Sequence, residues 1–357
     1  MPRATAVAPA TTDQPVATAS PPAAGDSAAS GTQPAAAASP VPPPLFDGWP
    51  QPQVVLVLTG QQMGYVEPCG CSGLENQKGG LARRHTLIRQ LATKRQWPVV
   101  PLDVGSQVKR FGKQQEVKFE HVVKGLRTMG YRAMTLGSGD LALSPGGLLA
   151  AMAGPDSTIR DFVSANVAVL SRELMPQLVI IEAGGRRIGV TAVISEKFER
   201  QLRGDEIVHE PPAAALASAA EKLRAEKCDL YVLLAHASLD EARSLAQAAP
   251  LFDLVVAAGE TNLPSRELEV LPGGKTRLMQ VGLKAMHAGV VGWFADAAVP
   301  LRYESVPLDA RFADSPEMLH LLADYQAQLK ELGLEGLEIK SQPHPTGRRF
   351  VGSEKCG

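Results

Sequence analysis

The sequence has no long apolar run: nothing approaches the ~18 consecutive residues that a membrane-spanning helix needs. Net charge is nearly absent, −1 at pH 7, so neither nucleic acid nor an anionic membrane surface is indicated as a partner. The four cysteines are too few for a disulfide scaffold. Of these, Cys228 opens the apolar run KCDLYVLLAH and reads as a core thiol. No signal peptide is visible: MPRATAVAPATTDQPVATAS carries one Arg, but no apolar core precedes its Pro, Asp and Thr. Taken literally this places the chain in the cytoplasm; the alternative is a true start further upstream. Self-similarity at a period of about 20–50 residues is also missing, which excludes a solenoid or propeller.

What remains is 45% hydrophobic and 20% charged, the balance of a soluble globular protein with one large domain or two small ones. Residues 1–50 are Ala, Pro, Ser, Thr and Gly with almost no large apolar side chain. They bury too little to offset a backbone ordering cost of roughly 1–2 kcal/mol per residue, so a disordered tether is expected. A domain is expected over 51–310. It opens with VVLVLTGQQMGYVEPCGCSGLENQKGGLARRH: a buried strand at Val54–Leu58, a Gly-rich loop with Glu67, Cys69 and Cys71, and a helix over 78–94. A loop between a buried strand and a helix lies at the carboxyl end of a sheet, where open α/β folds place their sites.

Further strands are expected at VVPLD (99–103), YRAMTLG (131–137), FVSANV (162–167), LYVLLAH (230–236) and LVVAAGE (254–260). Helices alternate with them at 116–129, 212–226 and 239–249. A hairpin is signalled where QLVIIEA and RIGVTAVI flank Gly184-Gly185. RLMQVG, AGVVGWFA and PLRYESVPL read as antiparallel closing strands. Ser315-Pro316-Glu317 is a helix start, followed by a stripe of Met318, Leu322, Tyr325, Leu329 and Leu332. Residues 311–357 thus read as an amphipathic helix plus an extended tail.

Two cysteines separated by one glycine can chelate a soft metal, or form a strained, reducible disulfide. Cys69 and Cys71 are therefore candidates for metal binding and for thiol redox chemistry.

Several segments together resemble the amino-terminal domain of 5′-nucleotidase-type (calcineurin-like) metallophosphoesterases. They are LVLTGQQMG, GGLARRHTLI, PLDVGS, MGYRAMTLGSGDL, SANV, RIGVTAVIS, LYVLLAHASLDEA and FDLVVAAGETN, in the family's order. The resemblance implies an α/β four-layer sandwich, two mixed β-sheets flanked by helices. It also implies hydrolysis at two divalent metals held by carboxylate, imidazole and Asn oxygen. Here the ligand positions depart from the pattern. Gln61 and Met63 stand where the first motif should offer Asp and His. Ser106 replaces a bridging Asp, and Gly137-Ser138-Gly139-Asp140 replaces Gly-Asn-His and an acid. The last motif, Gly-His-x-His, is Gly259-Glu260-Thr261-Asn262. Only His236 is kept. The expected outcome is a catalytically degenerate module, with Asp140 and His236 as the remaining catalytic candidates. The alternative is a rebuilt hydrolase site binding one zinc or iron through Cys69, Cys71, His236 and Glu260, with Glu67 and Asp140 nearby.

The EPCGC loop followed by GGLARR resembles exported members of this degenerate type, which implies a periplasmic or cell-envelope location. RRFVGSEKCG at the end resembles the opening of a multihaem c-type cytochrome module, in which FVGSEKC precedes two residues and Cys-His. By that resemblance Cys356 is the first half of a haem-attachment motif. Haem c is then expected only if the chain continues past Gly357, and the partner would be a small ligand or an electron-transfer protein.

Overall fold

The computed structural model describes residues 44–70, 73, 76–199, 206–259, 263–296 and 298–339. In chain order they form β1 (Val54–Thr59), the short pair β2 (Pro68–Cys69) and β3 (Lys78–Gly79), α1 (Leu81–Arg89), β4 (Val99–Asp103), α2 (Lys113–Thr128), β5 (Ala133–Met134) and α3 (Pro145–Met152). Then come β6 (Val167–Val169), β7 (Leu178–Ala183), β8 (Arg186–Ile194), α4 (Glu196–Glu199), β9 (Ile207–His209), α5 (Pro212–Ala225), β10 (Leu230–His236) and α6 (Leu239–Ala248). The chain closes with β11 (Leu254–Ala258), β12 (Glu269–Val270), β13 (Arg277–Gln280), β14 (His287–Trp293), β15 (Leu301–Pro307) and α7 (Pro316–Gly336).

Two mixed sheets carry the fold. One runs β15-β14-β1-β4-β5, the other β12-β13-β11-β10-β8-β7. β1 shows why they stack. All six of its residues are buried, yet they divide by parity. Val54, Leu56 and Leu58 face the second sheet with Ile188, Val190, Val232, Leu234 and Val256. Val55 and Val57 face α1 and α2 with Leu81, Leu87, Phe119 and Val122. On the far side, β10 and β11 present Leu233, Ala235, Val255 and Ala257 to the alanine-rich faces of α5 and α6. Helix, sheet, sheet and helix are thus four layers, because a strand buried on both faces needs apolar residues at every position.

The apolar runs fold as the sequence predicts at β1, β4, β8, β10 and β11, and the hairpin turns at Gly184-Gly185. Several boundaries differ. Residues 78–79 pair with β2, and the helix starts only at Leu81. YRAMTLG supplies just two strand residues, and FVSANV is a single bridge at Phe162 before β6. β13 does not close beside β14: it lies in the second sheet, parallel to β11 and antiparallel to the short β12.

The stretch 44–50, read as tether, packs on the domain. Phe46 is buried, edge-on to Trp49 and Trp97 at 5.1 and 5.5 Å, with the Arg95 guanidinium 5.1 Å above its ring. α7 begins as expected, with Ser315 Oγ accepting from Met318 N–H at 3.2 Å. Its stripe has its partner: Met318 and Leu322 join the core under α1 and α2.

Candidate functional site

The loops that leave β1, β4, β5 and β10 meet at the carboxyl ends of both sheets. Asp140 sits at their centre, fully buried. Its Oδ2 accepts the N–H groups of Ser106 at 2.7 Å and Gly137 at 2.9 Å, and its Oδ1 accepts that of Val108 at 3.0 Å. No cation pairs with it among the described residues. Burial raises its pKa to about 7, against the three N–H donors, which favour the ionised form.

His236 ends β10 and is equally buried. Its Nδ1 faces the Val104 carbonyl at 3.2 Å, which fixes the proton there. Its Nε2 therefore carries the lone pair, and the Ser138 N–H donates to it at 3.1 Å. Ser106 Oγ lies 3.5 Å from the same nitrogen, too long for a firm bond and competing with Ser138. The arrangement is not a nucleophile–base pair, since Ser106 has no exposed surface. Burial pushes the imidazole down to about 4.

The two loops touch through backbone. A Cβ on Gly137 would overlap Ser106 Oγ, and one on Gly139 would overlap the Val108 carbonyl. Ser106 itself has φ 61°, the left-handed region that non-glycine residues seldom adopt, and its N–H bond to Asp140 holds it there.

The remaining candidates are placed as follows. Gln61 and Met63 also have positive φ, 49° and 55°. Gln61 donates its backbone N–H to Gly105 O at 2.8 Å and its side-chain amide to Val281 O at 3.3 Å. Met63 N–H reaches Ser106 O at 2.9 Å. Cys69 is buried in β2, with Lys284 Nζ 3.7 Å from its sulfur, while Glu67 is exposed. Cys71, Glu260, Asn262 and Cys356 lie outside the described residues. The structure thus brings Ser106, Ser138, Gly139, Asp140 and His236 together. Among the described residues, no three His, Cys, Asp or Glu side chains converge as metal donors.

A second buried group was missed in the sequence. Arg84, on α1, is fully buried, with Nη2 donating to Gln62 Oε1 at 2.9 Å and Nη1 4.0 Å from Asp103 Oδ2. Asp103 accepts from Thr59 Oγ1 at 2.5 Å, Gln107 Nε2 at 2.5 Å and Gly105 N–H at 2.8 Å. Burial raises its pKa, which Arg84 and these donors oppose. The signal was available: Arg84 lies three residues after Leu81 and four before Ile88, inside the apolar stripe of α1.

No family model matches the chain. An apyrase from Aedes albopictus is 22% identical over 229 residues, which is 56% of this chain and 41% of that protein. Among solved structures, a 5′-nucleotidase precursor from Thermus thermophilus superposes with a TM-score of 0.66 at 21% identity, covering 78% of this chain and 59% of that one. The sulfate thiohydrolase SoxB of the same species gives 0.64 at 16%, over 80% and 62%. The calcineurin-like phosphoesterase YfkN from Bacillus subtilis gives 0.59 at 13%, over 79% and 99%. The fold is that of the calcineurin-like phosphoesterases. The chain spans about three-fifths of the first two structures and less of the apyrase.

A dinuclear metal centre is what the sequence resemblance implies, and the described residues do not supply its full set of donors. The hard donors such a centre requires are replaced by Gln61, Met63, Ser106, Ser138 and Gly139 among the described positions. The one kept imidazole directs its lone pair at a backbone N–H. Both oxygens of Asp140 are taken by backbone donors.

Proposed function

We propose that this chain is a catalytically degenerate phosphoesterase-fold module that serves as a binding or scaffold element of an exported electron-transfer protein. The observation that carries the loss of catalysis is the Asp140 knot: three backbone N–H groups occupy the carboxylate, and the loops around it leave no room for a side-chain ligand at Gly139. Two-metal sites hold their dications roughly 3.5–4 Å apart. At that spacing a bridging carboxylate must offset the repulsion, and Ser106 supplies none. The cytochrome association rests on the resemblance of the Cys356 tail alone. The partner would be a small ligand or a redox protein.

The names of the similar proteins speak for a second reading, a metal-dependent phosphoester hydrolase, more than for an electron-transfer module. In that reading Cys69, Cys71, His236 and Glu260 rebuild a site for one zinc or iron. A third reading makes Cys69 and Cys71 a dithiol–disulfide pair, with Lys284 beside the Cys69 sulfur.

Purified protein assayed against nucleotides and a nitrophenyl phosphate with manganese, cobalt or zinc should show no turnover. Metal-dependent turnover that His236→Ala abolishes would establish the hydrolase instead. Thiol counting across a graded redox buffer addresses the third reading: the pair must change state within the buffered range. Fractionation of cells tests export.

A further inference from the structure

The cluster Gln62–Arg84–Asp103–Gln107 is buried throughout, yet its hydrogen bonds do not close. Arg84 Nε and Nη1, Gln62 Nε2 and Gln107 Oε1 make no well-formed hydrogen bond among the described residues, although the guanidinium lies near enough to the Tyr131 hydroxyl to oppose the burial-driven rise of its pKa. The four side chains are contiguous. Arg84 bonds Gln62 directly at 2.9 Å, Gln107 bonds Asp103 at 2.5 Å, and Arg84 Nη1 stands 4.0 Å from Asp103 Oδ2. Thr59 Oγ1 and the Tyr131 hydroxyl, 2.7 Å apart, close one side of the group.

A buried polar atom left without a partner carries its full desolvation cost. Several together would weigh heavily against the marginal stability of a domain. The cluster must therefore be satisfied by something other than protein. A separation of 4.0 Å is too long for a hydrogen bond and suits two groups bridged by one solvent molecule.

The chemistry of the four atoms selects the occupant. Three are donors and one, Gln107 Oε1, is an acceptor, so the occupant must both accept and donate. A small anion only accepts. It would also sit beside the Asp103 carboxylate, which already faces the guanidinium. A metal cation is excluded by the Arg84 charge. Water meets both demands with its usual three or so hydrogen bonds at a buried site.

We propose that this cluster is a built site for ordered water, held as a resident ligand that ties α1 to the carboxyl ends of β1 and β4. One molecule bridges Arg84 Nη1 to Asp103 Oδ2, and its neighbours serve Arg84 Nε, Gln62 Nε2 and Gln107 Oε1. The site is separate from the Asp140 knot and independent of any metal or substrate.

The test is a high-resolution crystal structure of the full chain, from crystals grown with chloride and from crystals soaked in bromide. The expected result is solvent density about 2.8–3.0 Å from both Arg84 Nη1 and Asp103 Oδ2, with no anomalous bromide signal there. A bromide peak at Arg84 would make it an anion site and overturn the proposal. Direct contact of Arg84 with Asp103 and no solvent between them would overturn it as well. Gln62→Met removes the Nε2 donor, together with the Oε1 that accepts from Arg84 Nη2, at nearly constant volume. In it the Arg84–Asp103 bridge should persist while the peak beside residue 62 disappears; collapse of Arg84 onto Asp103 in that variant contradicts the water site.

Discussion

Two aspartates, Asp103 and Asp140, are buried within the same set of strand-end loops and solve the burial problem in opposite ways. Asp140 has no cation among the described residues and is held by three backbone N–H groups from two loops. Asp103 has a cation at 4.0 Å, three direct donors, and unsatisfied neighbours. The first region is closed: every oxygen is used, and glycines let the loops touch. The second is equally buried but leaves side-chain atoms without a well-formed hydrogen bond among the described residues. The contrast shows that a buried carboxylate can be satisfied without a cation. A carboxylate that would otherwise serve a cation can be satisfied by amides, and the loops then close on it.

The comparison breaks most readily at Asp140. Asp140→Ala should destabilise by roughly 3–5 kcal/mol, because three buried N–H groups lose their acceptor at once. Urea denaturation measures this, and a loss below about 1 kcal/mol would mean that the knot is not structural. Arg84→Met should cost about 3 kcal/mol by leaving the Asp103 charge alone. The double variant Arg84→Met/Asp103→Leu should not recover it, because Asp103→Leu also takes the acceptor from Thr59 Oγ1, Gln107 Nε2 and the Gly105 N–H. Gly139→Ala should cost about 1–3 kcal/mol, as its Cβ meets the Val108 carbonyl. Ser315→Ala, at the cap of α7 and far from both carboxylates, should cost about 1 kcal/mol, which calibrates the scale.

The pH dependence sharpens the contrast. Asp140 titrates near pH 7 when folded and near 3.8 when exposed, so the folded state binds the extra proton between those values. Its contribution to stability is full below about pH 4 and is lost as pH rises toward 7. His236 titrates near 4 when folded, against 6.5 when exposed. Its contribution is full above 6.5 and is lost as pH falls through 4. The two oppose each other between about pH 4 and 6.5. His236→Gln removes the rising limb, so its stability relative to wild type should worsen steadily from pH 4 to 6.5, as read from urea midpoints. A constant difference across that range would show that the imidazole is not held neutral.

Where the sequence sufficed, burial was uniform. β1, β4, β10 and β11 are apolar at nearly every position because each lies between two packed layers. Where it failed, side chains did the work of backbone. FVSANV reads as a strand, but Asn166 bonds the Ile194 backbone through both Oδ1 and Nδ2, at 2.9 and 2.8 Å, so pairing there needs no ladder. YRAMTLG stops after two residues because the chain turns into the loop that Asp140 ties down. The altered ligand positions were legible as a pattern. The use of Asp140 was not, since two of its three partners are amides 34 and 32 residues away. Arg84 was concealed by its position inside an apolar stripe, where a charge is easily taken for a solvated edge.

We propose that the strand ends do not support a dinuclear metal site. Equilibrium dialysis of the full chain against manganese and against zinc, with melting curves before and after chelation, tests it most directly. The account predicts no more than one equivalent of bound metal, and a melting temperature that the chelator does not move. Two equivalents bound per chain, lost together in His236→Ala and accompanied by a lower melting temperature on chelation, would contradict it.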